Sequence, residues 1–259
     1  MMRKLWSLTL ALPLLAAAAD YEWRGGLAPG KRLEIRGVNG SVTAELAPGG
    51  QVEVVAKKSA RRSDPNTVEI RMVESAGGLT FCAVYPSADW FGRENTCEAG
   101  QGGRNSARDN DVKVDFLVKV PAGVRFEGRN VNGDVTALGL RSDVDLATVN
   151  GRIRAATTGS AAASTVNGGI EVEMGEVSWS GARTLSTVNG SVELTLPAAA
   201  SAQVRATTVN GSISSDFPLT VEGKLLGRQI NGRIGSGGGE MKLKTVNGSI
   251  RLKRSGKAA

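Results

Sequence analysis

Thr148-Val149-Asn150-Gly151 is followed by Thr165-Val166-Asn167-Gly168, Thr187-Val188-Asn189-Gly190, Thr208-Val209-Asn210-Gly211 and Thr245-Val246-Asn247-Gly248. Looser copies stand at Val38-Asn39-Gly40, Val131-Asn132-Gly133 and Ile230-Asn231-Gly232. From Asn132 to Asn247 the steps are 18, 17, 22, 21, 21 and 16 residues, about 19 each. A recurrence near twenty residues marks a repeat architecture.

The residues around each Asn alternate. Six and four positions before it come pairs such as Leu33 and Ile35, Val144 and Leu146, Val204 and Ala206, or Met241 and Leu243, with polar residues between. Three positions after it stands Val42, Val135, Ile153, Ile170, Val192, Ile213, Ile234 or Ile250. Period two means a strand with one buried face. Each copy therefore reads as strand, Asn-Gly corner, strand. Arg183, Gly128, Gly227, Ser215 and Ser236 break the pattern.

Asn-Gly tolerates positive φ. It serves a tight hairpin between antiparallel strands, or a corner in a β-solenoid whose strands pair one rung away. The constant Asn phase favours the solenoid. Stacked rungs bring like onto like, so Asn amides bond along a ladder. The expected ladder is Asn39, Asn132, Asn150, Asn167, Asn189, Asn210, Asn231 and Asn247 in sequence order. Asn189→Ala or Asn210→Ala would then cost about 2 kcal/mol, from left-handed strain plus a lost hydrogen bond. An aromatic content of only 4% agrees with a narrow interior of Ala, Val and Thr. The fold class expected is all-β, built from rungs of about 19 residues.

Met1-Met2-Arg3-Lys4, the apolar run Leu5 to Leu15 and Ala16 to Ala19 read as a signal peptide over 1–19, cleaved after Ala18 or Ala19. The run is shorter than the roughly 20 residues of a spanning helix. The protein is thus expected to be exported, to the periplasm, cell surface or extracellular space, with no transmembrane segment after signal removal. Residues 20–252 read as a single solenoid domain. Irregular rungs fill 31–120 and hold an insertion at 86–111; regular Val-Asn-Gly rungs fill 121–252. A basic tail occupies 253–259. Cys82 and Cys97 are the only cysteines. In an exported chain they read as a disulfide, worth about 3 kcal/mol for a loop of this length.

The chain has no His, which removes Ser-His-Asp and Cys-His catalysis. No catalytic residue, cofactor or metal site is assigned. Asp143 with Asp145, and Glu171 with Glu173, each share one side of a strand. They are the carboxylates a polysaccharide lyase or hydrolase would use, but a solvated outer face, with Asp and Glu alternating against an apolar inner one, is the favoured reading. Asp109-Asn110-Asp111 offers oxygens to calcium, or is a polar loop. Without Arg3 and Lys4 there remain 30 basic and 25 acidic residues, a net of +5. That balance favours anionic envelope polymers or lipid head groups, and not nucleic acid; glycans or another envelope protein are the other partners expected. Trp90-Phe91 in the insertion is the candidate partner contact, or a cap on the solenoid. The basic C-terminal residues Lys242, Lys244, Arg251, Lys253, Arg254 and Lys257, set against Glu240, read as protection of the last rung's edge, with a dedicated anion site as the alternative.

The Thr-Val-Asn-Gly-Ser-Ile array, the Pro121-Ala122-Gly123 turn and the closing Lys242-Leu243-Lys244-Thr245-Val246-Asn247-Gly248-Ser249-Ile250-Arg251-Leu252 resemble the bacterial putative-adhesin family of β-strand-repeat proteins, a domain family of unknown function. The resemblance spans about Lys31 to Leu252. It implies a single-stranded, right-handed β-solenoid or β-roll on an exported or envelope protein, without catalytic residues. The leading reading is a non-enzymatic exported protein that binds surfaces or adheres. The alternatives are a carbohydrate-active β-helix enzyme and a structural or sensing module of the envelope.

Overall fold

A computed structural model describes residues 21–87, 93–100, 105, 107, 109–221 and 229–256. The signal-peptide stretch and Trp90-Phe91 lie outside the described residues. The chain begins with β1 (Tyr21–Gly26), β2 (Arg32–Arg36), β3 (Val42–Leu46) and β4 (Gln51–Ser59). A 3₁₀ turn, Pro65–Thr67, leads to β5 (Glu69–Ser75), β6 (Gly78–Val84) and β7 (Lys113–Val120). Short strands then alternate: β8 (Arg125–Arg129), β9 (Val135–Leu140), β10 (Val144–Ala147), β11 (Ile153–Thr157), β12 (Ala161–Ser164), β13 (Ile170–Met174), β14 (Ala182–Ser186) and β15 (Val192–Leu196). Last come β16 (Ala202–Asn210), β17 (Ile213–Ser215), β18 (Thr220–Val221), β19 (Gln229–Ile234), β20 (Glu240–Asn247) and β21 (Ile250–Arg254).

These strands form two large sheets. The first has ten strands in the order β1-β4-β7-β3-β9-β11-β13-β15-β21-β17, and the second eleven, β18-β19-β16-β20-β14-β12-β10-β8-β2-β6-β5. In the repeats the chain passes from the second sheet to the first through each Asn-Gly corner. Equivalent strands pair in parallel, so Ile153 faces Val135 on one side and Ile170 on the other. Inward residues from both sheets, such as Leu146, Ile153, Ile170, Leu185 and Leu194, are fully buried. The interior is wider near the N-terminus, where Phe81, Phe116, Phe126 and Tyr85 are buried. Trp179 and Phe217, among the later repeats, also join the core, so the expectation of an interior without rings does not hold.

Each letter of the motif has a physical cause. Thr is buried and its hydroxyl donates to the glycine carbonyl of the adjacent repeat: Thr148 to Gly133 at 3.0 Å, Thr187 to Gly168 at 2.8 Å, Thr245 to Gly190 at 2.7 Å. A buried hydroxyl needs such a partner. Val points outward. Asn forms the side-chain ladder. Its links run 39–132–150–167–189–247–210, each Nδ2 to Oδ1 at 2.8–2.9 Å. Gly lets backbones touch: a Cβ on Gly151 would sit 2.0 Å from the Gly133 oxygen, and one on Gly168 1.9 Å from the Gly151 oxygen.

The structure corrects five expectations. Among the described residues only Asp109 has positive φ without being glycine, so the ladder asparagines carry no left-handed strain. The close approach at Gly, not the conformation of Asn, dictates the dipeptide. Asn231 is absent from the ladder, because β19 runs antiparallel to β16 and sets Asn231 beside Arg205. The order of the repeats also departs from the chain: β20 inserts between β14 and β16, and β21 between β15 and β17. Asn247 therefore precedes Asn210. For the same reason Lys242, Lys244, Arg251 and Lys253 lie inside the sheets and protect no edge. Nor does a tail begin at Lys253, since β21 continues to Arg254.

The ladder revises one magnitude. Asn189→Ala removes two exposed hydrogen bonds, to Asn167 and from Asn247, and water replaces both. The expected loss is about 1 kcal/mol, read as a shift in urea midpoint. A loss above about 3 kcal/mol would restore the strain argument.

Candidate binding surface

The 86–111 stretch replaces an Asn-Gly corner, since it connects β6 in one sheet to β7 in the other. Its described part folds back over the second sheet. Cys82 of β6 is bonded to Cys97, with Cα atoms 5.8 Å apart. Asn95 donates to the Tyr85 carbonyl at 2.9 Å, and the Tyr85 hydroxyl donates to the Val112 carbonyl at 2.8 Å. These contacts cover the outer face of β6, which is buried along its whole length.

Beneath this cover lies Glu34. It points outward from β2 yet is fully buried. Its carboxylate accepts from Arg36 Nε at 2.7 Å, Thr80 Oγ1 at 3.1 Å and the Gly100 N–H at 3.3 Å. Arg129 Nε is 3.4 Å away and Arg32 Nη2 4.0 Å. A cleft of about 430 Å³ opens alongside, lined by Arg36, Val38, Thr96, Asn105, Arg129 and Asn130 among others. The sequence reading missed Glu34; its only signal is the Arg-Leu-Glu-Ile-Arg spacing at 32–36. At Asn130 the amide takes the role of the motif Thr and donates to the Gly40 carbonyl at 2.7 Å. The larger side chain fits because residue 37 is glycine: a Cβ there would lie 2.7 Å from Asn130 Oδ1.

The candidate carboxylates are distributed, not gathered. Asp143 accepts from the Ser160 N–H at 3.0 Å and hydroxyl at 2.8 Å, and pairs with Arg183 at 3.1 Å. Burial works to raise its pKa, but the Ser160 bonds and the Arg183 and Arg125 charges outweigh it and hold the carboxyl below its usual range. Glu171 pairs with Arg154 at 3.4 Å, and both line a shallow depression of about 300 Å³ with Glu173. Among the described residues no three His, Cys, Asp or Glu are grouped to hold a metal ion.

Asp109-Asn110-Asp111 forms a turn. Asp111 accepts from the N–H groups of Ser63 at 2.9 Å, Arg61 at 3.1 Å and Arg62 at 3.1 Å, and Asn110 Oδ1 accepts from the Val112 N–H at 3.0 Å. These oxygens face donors rather than a cation. Hydrogen bonds from Ser63, and then from Arg61 and Arg62, lower the Asp111 pKa from 3.8 to about 2. A carboxyl more acidic in the folded state stabilises it above the unfolded pKa, and that contribution disappears as pH falls from 3.8 towards 2. Asp111→Asn should therefore flatten the wild-type loss of stability across this window. Urea midpoints that fall in parallel for both proteins would refute the assignment.

The outward valines form the most regular exposed feature. Val149, Val166, Val188, Val246 and Val209 are 38–53% exposed and follow one another from repeat to repeat beside the Asn ladder. No helix among the described residues is long and apolar enough to cross a membrane.

Residues 123–253 match the profile of the Toastrack DUF4097 family. No curated protein matches the chain. Among solved structures, a "putative cell adhesion protein" from Clostridium sporogenes shares 11% identity at a TM-score of 0.51, covering 92% of this chain and 100% of its own. A "putative adhesin" from Bacteroides fragilis shares 11% identity over 90% of this chain and 97% of its own, at a TM-score of 0.37. The first likeness shows a common fold. Because that profile covers half of the chain, the chain belongs to the Toastrack DUF4097 family, whose function is unknown.

Proposed function

We propose that this protein is a non-enzymatic, exported surface-binding or adhesion module of the cell envelope. Residues 20–252 act as one domain, a right-handed, single-stranded β-solenoid with rungs of about 19 residues. The handedness follows the rule for parallel crossovers. The observation that carries the reading is the row Val149, Val166, Val188, Val246, Val209, held outward beside bonded asparagines. Exposed apolar rows of this kind mark contact surfaces. The structural neighbour described as a cell adhesion protein supports the same reading. The basic leader and the Cys82–Cys97 disulfide support export. The partner is an anionic polymer, a glycan or another protein of the envelope.

The test is saturable binding of the mature chain to whole cells and envelope fractions. Val166→Lys with Val188→Lys should abolish it while leaving the circular dichroism spectrum unchanged. Undiminished binding by that variant would remove the row from the interface, and no binding to any fraction would remove the proposal.

One observation favours a carbohydrate-active enzyme: Glu171, Glu173 and Arg154, from neighbouring repeats, share the depression on the first sheet. Depolymerisation of acidic polysaccharides, lost in Glu173→Gln, would establish it. The Arg154–Glu171 pair instead matches the charge pairing across the rest of that sheet.

A further inference from the structure

The basic residues near the C-terminus need a cause other than edge protection, because their strands are interior. On the outer face of the second sheet Lys242 lies between Thr184 and Arg205, and Lys244 between Ser186 and Thr207. Arg233 lies beside Gln203 on the next strand. Their neighbours along each strand, Met241, Leu243, Val204, Ala206 and Ile234, are buried, so these cations point to solvent. Among the described residues of β14, β20, β16 and β19 the one carboxylate on this face is Glu240, which pairs with Lys242 at 2.9 Å; Asp143 and Asp145 stand farther along the same sheet, at β10. Strands lie about 4.8 Å apart, and like charges set directly opposite destabilise a sheet. Lys242 and Arg205 are set so.

Elsewhere many cations are set against carboxylates, on the second sheet as in Arg183 with Asp143 and likewise on the first. There Arg154 pairs with Glu171, Arg251 and Lys253 with Glu193, and Lys119 with Glu45. Among the described residues at this end of the second sheet, β14 to β19, basic side chains outnumber carboxylates, a balance that fits a polyanion.

Resting on the envelope reading above, we propose that this face binds a linear polyuronate, a carboxylate-bearing polysaccharide. The cations recur along and across the strands, as the acid groups of such a chain do. Between them, Thr184, Ser186, Thr207 and Asn231 supply the hydroxyls and amide that meet sugar hydroxyls. A shallow cleft of about 200 Å³, lined by Gln203, Arg205, Asn231 and Arg233 among others, lies at the same place. Among the described residues the face presents no bulky apolar side chain to enter a bilayer and no aromatic ring to stack a base.

The experiment measures binding of the mature chain to polygalacturonate, with neutral dextran and phosphatidylglycerol vesicles as comparisons. Binding to polygalacturonate alone, weakened by added salt, is expected. Arg205→Glu with Lys244→Glu should weaken it by roughly tenfold or more. Lys57→Glu with Lys113→Glu, an equal charge change on the first sheet, should not. The milder Arg205→Gln with Lys244→Gln covers the case in which the reversal variant fails to fold. Equal loss in the first-sheet variant, preference for vesicles, or no saturable polygalacturonate binding would overturn the proposal. If the Arg205/Lys244 variants still bind envelope fractions like the wild type, this face fails and the broader reading stands.

Discussion

Gly190→Ala is expected to lower stability by at least about 4 kcal/mol, among the largest effects of a single substitution. The added Cβ would lie 2.0 Å from the Gly168 oxygen and 2.5 Å from its carbonyl carbon. Both backbones are already fixed. The Gly168 N–H donates to Asn189 O and the Gly190 N–H to Asn247 O, each at 3.0 Å. Relief of the clash would have to open the hydrogen-bonded corner. Gly190 is not among the positive-φ glycines, so the penalty comes from contact and not from backbone conformation. Gly49→Ala is the control, since nothing lies within 4 Å of its added Cβ, and it should leave the thermal midpoint unchanged. A wild-type midpoint for Gly190→Ala would mean that adjacent repeats do not approach as described.

Glu34→Ala is expected to cost about 4 kcal/mol, the range for removing one partner of a buried ion pair. Arg36 and Arg129 would keep their charges without the carboxylate, and Thr80 and the Gly100 N–H would lose an acceptor. The same change frees the cover formed by the 86–111 stretch, so proteolysis there should accelerate. Glu34→Gln keeps an acceptor oxygen and should cost less. Urea unfolding of the three proteins checks the order. Equal stability of wild type and Glu34→Ala would show that the buried carboxylate does not hold the cover.

Local periodicity made much of the fold legible. Alternation around Leu33-Ile35, Val144-Leu146 and Met241-Leu243 marks strands because side chains change face at every residue. The recurring Asn announced parallel stacking, since identical amides bond best to one another. The cysteines announced their disulfide. Glu34 was not legible: the Gly100 segment that buries it is distant in sequence. Nor was the role of Gly in the motif. Sequence offers φ freedom as the usual reason for Asn-Gly, and contact across repeats is visible only in three dimensions.

A short-range pattern therefore determined which residues are strand, which face inward and which corners carry asparagine. Long-range pairing decided the rest: that β20 and β21 enter before β16 and β17, that Asn231 leaves the ladder, and that Lys242 and Lys244 stand in the middle of a sheet. The physical reason is that all repeats present nearly the same edge. Their local sequences do not encode which of several equivalent neighbours each one meets, and the closing of the whole chain does.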